Sequence, residues 1–171
     1  KVAEIRIEAN YSGLRVTLMG HVDSARCPVQ IDIGYGDAVT PAPEHADYPV
    51  MLEGLPAPKL RIYPRYTVVA EKYEAIVSLG MVNTRLKDYF DMWIIFNSAE
   101  LDLAVLNDAI DATFKRRNTQ KPQNTPIGLT ADFGQDAQKI KQWEVFIKKN
   151  QLHAPDLNTV VEFLKNKLSP V

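Results

Sequence analysis

Residues 67–91 read TVVAEKYEAIVSLGMVNTRLKDYFD. In this stretch the spacing of apolar side chains changes character. Val69, Tyr73, Ile76 and Val77 recur three and four residues apart, which places them on one face of a helix. Gly80 follows where a helix C-terminus calls for a residue tolerant of the left-handed region. Thr84 is a candidate cap for a second helix, in which Leu86, Tyr89, Phe90 and Trp93 form another apolar stripe.

Upstream of this point the period is two. Ala3, Ile5, Ile7 and Ala9 alternate with Glu4, Arg6 and Glu8, which predicts a half-buried strand. Tyr11-Ser12-Gly13 is turn chemistry, and Leu14, Val16 and Leu18 begin a second strand, so the two form an expected antiparallel hairpin. A third strand runs over Val29–Ile33, with Val29, Ile31 and Ile33 on one face and Gln30 and Asp32 on the other; Gly34-Tyr35-Gly36-Asp37 ends it. Prolines at 41, 43, 49, 56, 58 and 64 exclude a helix over residues 38–66 and leave short extended pieces at Val50–Leu52 and Leu60–Tyr63.

Downstream the chain is helical. Leu103, Leu106, Ile110 and Phe114 predict a helix over Leu101–Asn118, and Lys115-Arg116-Arg117 suits its negative C-terminal end. Residues 119–131 read as a loop or linker, and amphipathic helices follow over Asp132–Asn150 and Asp156–Leu168. The expected class is α+β, with a strand-rich part at 1–66, helices at 67–118, and a linker with a C-terminal helical region at 119–171.

With 171 residues and 46% hydrophobic content the chain can bury a core. Twenty basic and 21 acidic residues sum to −1, which argues against a dedicated polyanion cradle while leaving room for a local basic patch. The single cysteine, Cys27, cannot form an internal disulfide, and this points to a reducing cytoplasm. His21, His45 and His153 lie far apart, without metal-ligand spacing.

Several residues could carry chemistry. Asp32 is held rigidly in mid-strand, where aspartate is depleted; it is either a site carboxylate or a plain solvent-facing residue. Gly34 and Gly36 could let a phosphate approach the backbone, though a tight turn is the commoner use of such spacing. Lys87 and Asp91 stand one helical turn apart with Asp88 beside them, as a site or as an ion pair on a solvated face. Lys before Asp is the poorer orientation for an intrahelical pair, which weakens the second option. Lys72 borders the apolar stripe of the preceding helix, where a lysine also serves to cover apolar surface. Lys115-Arg116-Arg117 reads as a solvated helix end before it reads as an RNA contact. Tyr63 and Tyr66, near Arg61 and Arg65, could stack on a base or simply pack.

Taken in order, Ile31-Asp32-Ile33-Gly34-Tyr35-Gly36-Asp37, Tyr63-Pro64, Ala70-Glu71-Lys72 and Asn83-Thr84-Arg85-Leu86-Lys87-Asp88-Tyr89-Phe90-Asp91 form a series. It resembles the nucleotidyl transferase AbiEii/AbiGii toxin family of bacteria. The resemblance implies the later part of a polymerase-β-like nucleotidyltransferase sheet followed by a helical region. It also implies Mg²⁺-dependent transfer of a nucleotide from a triphosphate (GTP or a pyrimidine triphosphate) to RNA or protein, and a cognate antitoxin as partner. Asp32 would then help ligate the metal or take the acceptor's proton. Lys87, Asp88 and Asp91 would complete the catalytic site, and Lys72, Gly34 and Gly36 would contact nucleotide.

The paired aspartates and Gly-Gly or Gly-Ser motif of that superfamily have no counterpart before Asp32, where the acidic residues are Glu4, Glu8 and Asp23. With the chain opening on Lys1 directly in a strand, the expectation is a fragment whose metal-binding motifs precede residue 1. Mg²⁺ is then expected only together with those upstream carboxylates. The competing reading is a non-catalytic module that binds a nucleotide or an antitoxin.

Overall fold

The fold is that of a computed structural model, which describes residues 1–5 and 13–169. The part of the first predicted strand at Arg6, Ile7, Glu8 and Ala9, and the turn at Tyr11-Ser12, lie outside the described residues. Among the described residues the architecture is α+β, with small antiparallel sheets and six α-helices. The chain divides into two compact units, Lys1–Ala38 and Val39–Val171, so the helices of 67–118 and those of 119–171 share one unit.

The first unit is a three-stranded antiparallel sheet of β1 (Val2–Ile5), β2 (Gly13–Val22) and β3 (Ala25–Gly34), in that order. Strands β2 and β3 are longer than their apolar cores suggest, because the ladder continues to a two-residue turn at Asp23-Ser24. Asp23 takes a left-handed φ of 52°, a conformation that aspartate tolerates in hairpin turns. The register sets Leu14 opposite Ile33, Val16 opposite Ile31, Leu18 opposite Val29 and Val22 opposite Ala25, so one face of the β2–β3 pair is apolar, with Glu4 of β1 beside Leu14 on it. The predicted alternation is therefore present, but the core layer it implied is not beneath it. Every residue of β3 is exposed, with Val29, Ile31 and Ile33 each at 44%.

In the second unit β4 (Glu44–Asp47) pairs antiparallel with β5 (Lys59–Ile62). Strand β5 answers the extended piece predicted at Leu60–Tyr63, whereas Val50–Leu52 forms bends and turns. Helix α1 (Arg65–Leu79) starts after Pro64, whose missing N–H costs nothing there. It stops at Gly80, which has φ +52° and donates its N–H to Ile76 O. After a 3₁₀ turn at Gly80–Val82 comes α2 (Leu86–Ser98). Its cap is not Thr84: the Asn83 side chain accepts the Arg85 N–H at 2.8 Å and forms the opening turn.

Helix α3 (Leu103–Arg117) is capped by Asp102, which accepts from the N–H groups of Ala104 and Val105. Leu103, predicted inward, is 48% exposed in the first turn, while Leu106, Ile110 and Phe114 are buried as the spacing requires. The long helix predicted over Asp132–Asn150 is two helices, α4 (Ala131–Gly134) and α5 (Ala137–Lys149). The break comes where Asp136 turns its carboxylate onto the Lys139 N–H and caps α5. Helix α6 (Leu157–Leu168) is capped in the same way by Asp156.

The core gathers Val69 and Ile76 of α1, Tyr89 and Met92 of α2, Leu106 and Ile110 of α3, and Phe133, Val160 and Leu164 from the later helices. Residues 119–131 pack onto the helical core at their C-terminal end. They form a 3₁₀ turn at Ile127–Leu129 whose Gly128 and Leu129 are buried, and Tyr89 donates its hydroxyl to Gly128 O at 2.9 Å. A Cβ at Gly128 would lie 2.7 Å from Ile76 Cγ2, so glycine is what permits this approach.

Candidate functional site

Helices α1 and α2 bring four of the predicted residues together. The Lys72 stem runs beside the buried stripe of α1, and its ammonium crosses to α2. There it donates to Asp88 Oδ1 at 2.7 Å and to Asp91 Oδ2 at 2.8 Å. Lys87 donates to the same Asp91 oxygen from one turn earlier on α2. Arg85 adds a third cation, its Nε standing 2.9 Å from Asp88 Oδ2, off the line that a hydrogen bond needs. Three bases thus face two carboxylates, a local excess of one positive charge.

The cluster is not the solvated face that the i,i+4 spacing suggested. Asp88 is only 3% exposed, and its place in the first turn of α2 sets it against the helix's positive end. Lys72 is mostly buried as well, so it is a bridge between helices and not a lysine merely covering apolar surface. Burial alone would lower the Lys72 pKa, but the hydrogen bonds and charges of Asp88 and Asp91 outweigh it and raise it. Burial likewise pushes Asp91 up, yet the hydrogen bonds and charges of Lys72 and Lys87 hold it below its usual range. Lys87 is the accessible member, with 70% of its side chain exposed.

Asp32, Gly34 and Gly36 belong to the first unit. Asp32 faces Arg15 across the β2–β3 ladder, and its Oδ1 and Oδ2 accept from Arg15 Nε and Nη2, both at 2.8 Å. Hydrogen bonding to Asp32 and its charge raise the Arg15 pKa, as a two-point ion pair does. Gly34 ends β3, and Gly36 has φ +89°, so the turn itself requires a glycine at 36.

For Mg²⁺, among the described residues no three His, Cys, Asp or Glu side chains gather into a set that could hold a metal ion. Both Asp32 oxygens engage Arg15, and Asp88 and Asp91 engage lysine. These donors do not fit a magnesium site, which asks for free carboxylate oxygens around an octahedral ion.

Other residues of the region escape sequence reading. Arg117 is not a solvated helix end: its Nη1 donates to the buried Glu74 Oε2 at 2.7 Å, and Thr119 donates to Glu74 Oε1 at 2.6 Å. No local spacing announces that triad, because its members lie 43 and 45 residues apart. Arg85 did leave a signal, standing three residues before Asp88. Of the two tyrosines considered for stacking, Tyr66 packs on the core and its hydroxyl accepts the Asp102 N–H, while Tyr63 donates to Glu71.

Among the described residues no helix is long and apolar enough to cross a membrane. Neither the curated proteins nor the solved structures include a match to the chain. The family described as nucleotidyl transferase AbiEii toxin, type IV TA system, matches residues 1–166. That span takes in the sheet, the lysine–aspartate cluster and nearly all of the helical body, and the chain belongs to the AbiEii nucleotidyl transferase toxin family.

Proposed function

We propose that this protein is a nucleotidyltransferase-like toxin that transfers a nucleotide from a nucleoside triphosphate, GTP or a pyrimidine triphosphate, to an RNA or protein acceptor. A cognate antitoxin protein opposes it. The observation that carries this reading is the convergence of Lys72, Lys87, Asp88 and Asp91 at one place on α1 and α2. Phosphoryl chemistry depends on positioning and on neutralising phosphate charge. Exposed Lys87 meets the triphosphate, and Lys72 adds a fixed positive charge behind it. Asp88 and Asp91 orient the lysines.

The same interactions define what the cluster does not do. A lysine with a raised pKa remains a cation at neutral pH, and a carboxylate with a lowered pKa is a poor base. Lys72 and Asp91 therefore bind and orient, and neither moves a proton. Asp32 takes the proton-accepting role assigned to it only by giving up Arg15. Within the first unit, Gly34 and Gly36 offer backbone that a phosphate approaches. Magnesium enters the assay as the counter-ion of the triphosphate, and no step is assigned to a protein-held ion.

A second reading, a non-catalytic module that binds a nucleotide or an antitoxin, draws support from the Arg15 clasp on Asp32. One assay separates the two. The protein is incubated with Mg²⁺, each α-labelled triphosphate in turn, and cellular RNA or protein. Transfer reduced at least ~10-fold by Lys87→Ala, at unchanged Tm, supports the enzyme. Nucleotide binding without transfer supports the module, and transfer by Lys87→Ala equal to that of the natural protein overturns the role given to Lys87.

A further inference from the structure

Lys139, in the first turn of α5, is 6% exposed, and among the described residues no carboxylate pairs with it. Its ammonium donates to Asn83 O at 2.7 Å and stands 5.4 Å from the Phe133 ring centroid. Burying an ammonium against one carbonyl and one ring is costly, and a methionine, unbranched and one atom shorter, would occupy most of the space without that cost. The acceptor explains where the charge acts. Asn83 is fully buried and makes the turn that opens α2: its N–H donates to Gly80 O at 3.2 Å, and its Oδ1 accepts the Arg85 N–H. Arg85 in turn reaches Asp88, which receives Lys72.

We propose that Lys139 is a positioning residue for the lysine–aspartate cluster. By fixing the Asn83 carbonyl it sets the direction in which α2 starts, and so the placement of Arg85 and Asp88 against Lys72. The C-terminal helices thereby hold the nucleotide-binding residues in register without touching nucleotide. The nucleotide part of this inference rests on the proposed function; the positioning part does not.

The test compares Lys139→Met, which keeps an unbranched apolar stem and loses the donor, with Lys139→Arg, which keeps charge and donor. NMR follows the backbone amides of Asn83, Arg85 and Asp88 and the Lys72 ammonium protons. Calorimetry follows binding of Mg²⁺–GTP and Mg²⁺–CTP. The expected result for Lys139→Met is displaced Arg85 and Asp88 amides, faster exchange of the Lys72 ammonium and a Kd raised at least ~5-fold, with Lys139→Arg restoring most of each. Unchanged Arg85, Asp88 and Lys72 signals in folded Lys139→Met overturn the proposal. Displaced signals with unchanged or absent nucleotide binding uphold positioning and count against the nucleotide reading. Should Lys139→Met not fold, Lys139→Gln, shorter and uncharged, takes its place. The same displacement at Asp88 and Lys72 then supports the proposal, and none overturns it.

Discussion

Replacing Lys72 by methionine removes the cation that joins α1 to α2 while keeping the apolar stem that lies along the helix. Breaking a buried ion pair from one side costs about 3–5 kcal/mol when the partner is left wholly uncompensated. Here two circumstances reduce the cost. Arg85 still stands 2.9 Å from Asp88 Oδ2, and Lys87 still holds Asp91. The loss then falls to roughly 2–3 kcal/mol, which for a unit of this size lowers Tm by roughly 6–10 °C. Urea unfolding followed by far-UV circular dichroism measures it. In Lys72→Met/Asp88→Asn the buried carboxylate is gone as well, so the double variant loses less than the sum of the single changes, by about 1–2 kcal/mol. Lys72→Met within ~0.5 kcal/mol of the natural protein, or strict additivity in the double variant, would refute the view that Asp88 depends on Lys72 for its burial.

The other expectations concern neighbouring contacts. Arg117→Leu strands the buried Glu74 carboxylate with only Thr119 as donor and destabilises by about 2–4 kcal/mol in the same urea assay; Glu74→Gln in that background recovers part of it. Gly128→Ala forces a methyl within 2.7 Å of Ile76 Cγ2 and 2.9 Å of the Tyr89 hydroxyl, costing roughly 1–3 kcal/mol, and a Tm equal to the natural protein's contradicts the tight approach. Asp91, held low against burial by its lysines, and Asp156, held low by the Thr159 N–H and hydroxyl, have folded pKa values below their unfolded ones. Their stabilisation is complete above the unfolded value, near pH 4, and is lost as pH falls through the folded values; a pH series on Asp91→Asn shows a shallower acid limb. Lys72 has the opposite sign: its contribution is full below its unfolded pKa, near 10.4, and disappears as pH rises through the raised folded value.

Much of the helical body is legible in the chain because the information is local. The three- and four-residue recurrences around Tyr73 and Tyr89 mark α1 and α2, and Gly80 marks where the first of them stops. The block from Asn83 to Asp91 likewise marks the helix on which Lys87, Asp88 and Asp91 meet Lys72. What local spacing cannot carry is depth. Asp88 looks like half of a surface ion pair until a lysine sixteen residues earlier, on another helix, makes its burial tolerable. Arg117 misleads for the same reason, since a basic helix end satisfies the dipole whether or not a distant glutamate receives it. Strand β4 was missed because Glu44-His45-Ala46-Asp47 has no apolar alternation, and only its partner β5 makes it a strand. Asp136 interrupts a pattern that stays amphipathic through residue 150, because a carboxylate turned onto a backbone N–H breaks a helix without altering its stripe.

The apolar face of β2 and β3 has a calorimetric consequence. Heat capacity and denaturant sensitivity on unfolding both scale with the apolar surface newly given to water. Val29, Ile31 and Ile33 each keep 44% of their surface in contact with water in the folded chain, so melting this hairpin adds less to either quantity, residue for residue, than melting the helical core. A thermal or urea transition of the protein therefore weights Val39–Val171 more heavily than the hairpin. Substitutions along β3 that abolish its ladder will move the m-value and ΔCp less than comparable losses in the helical core, and amide exchange registers them directly.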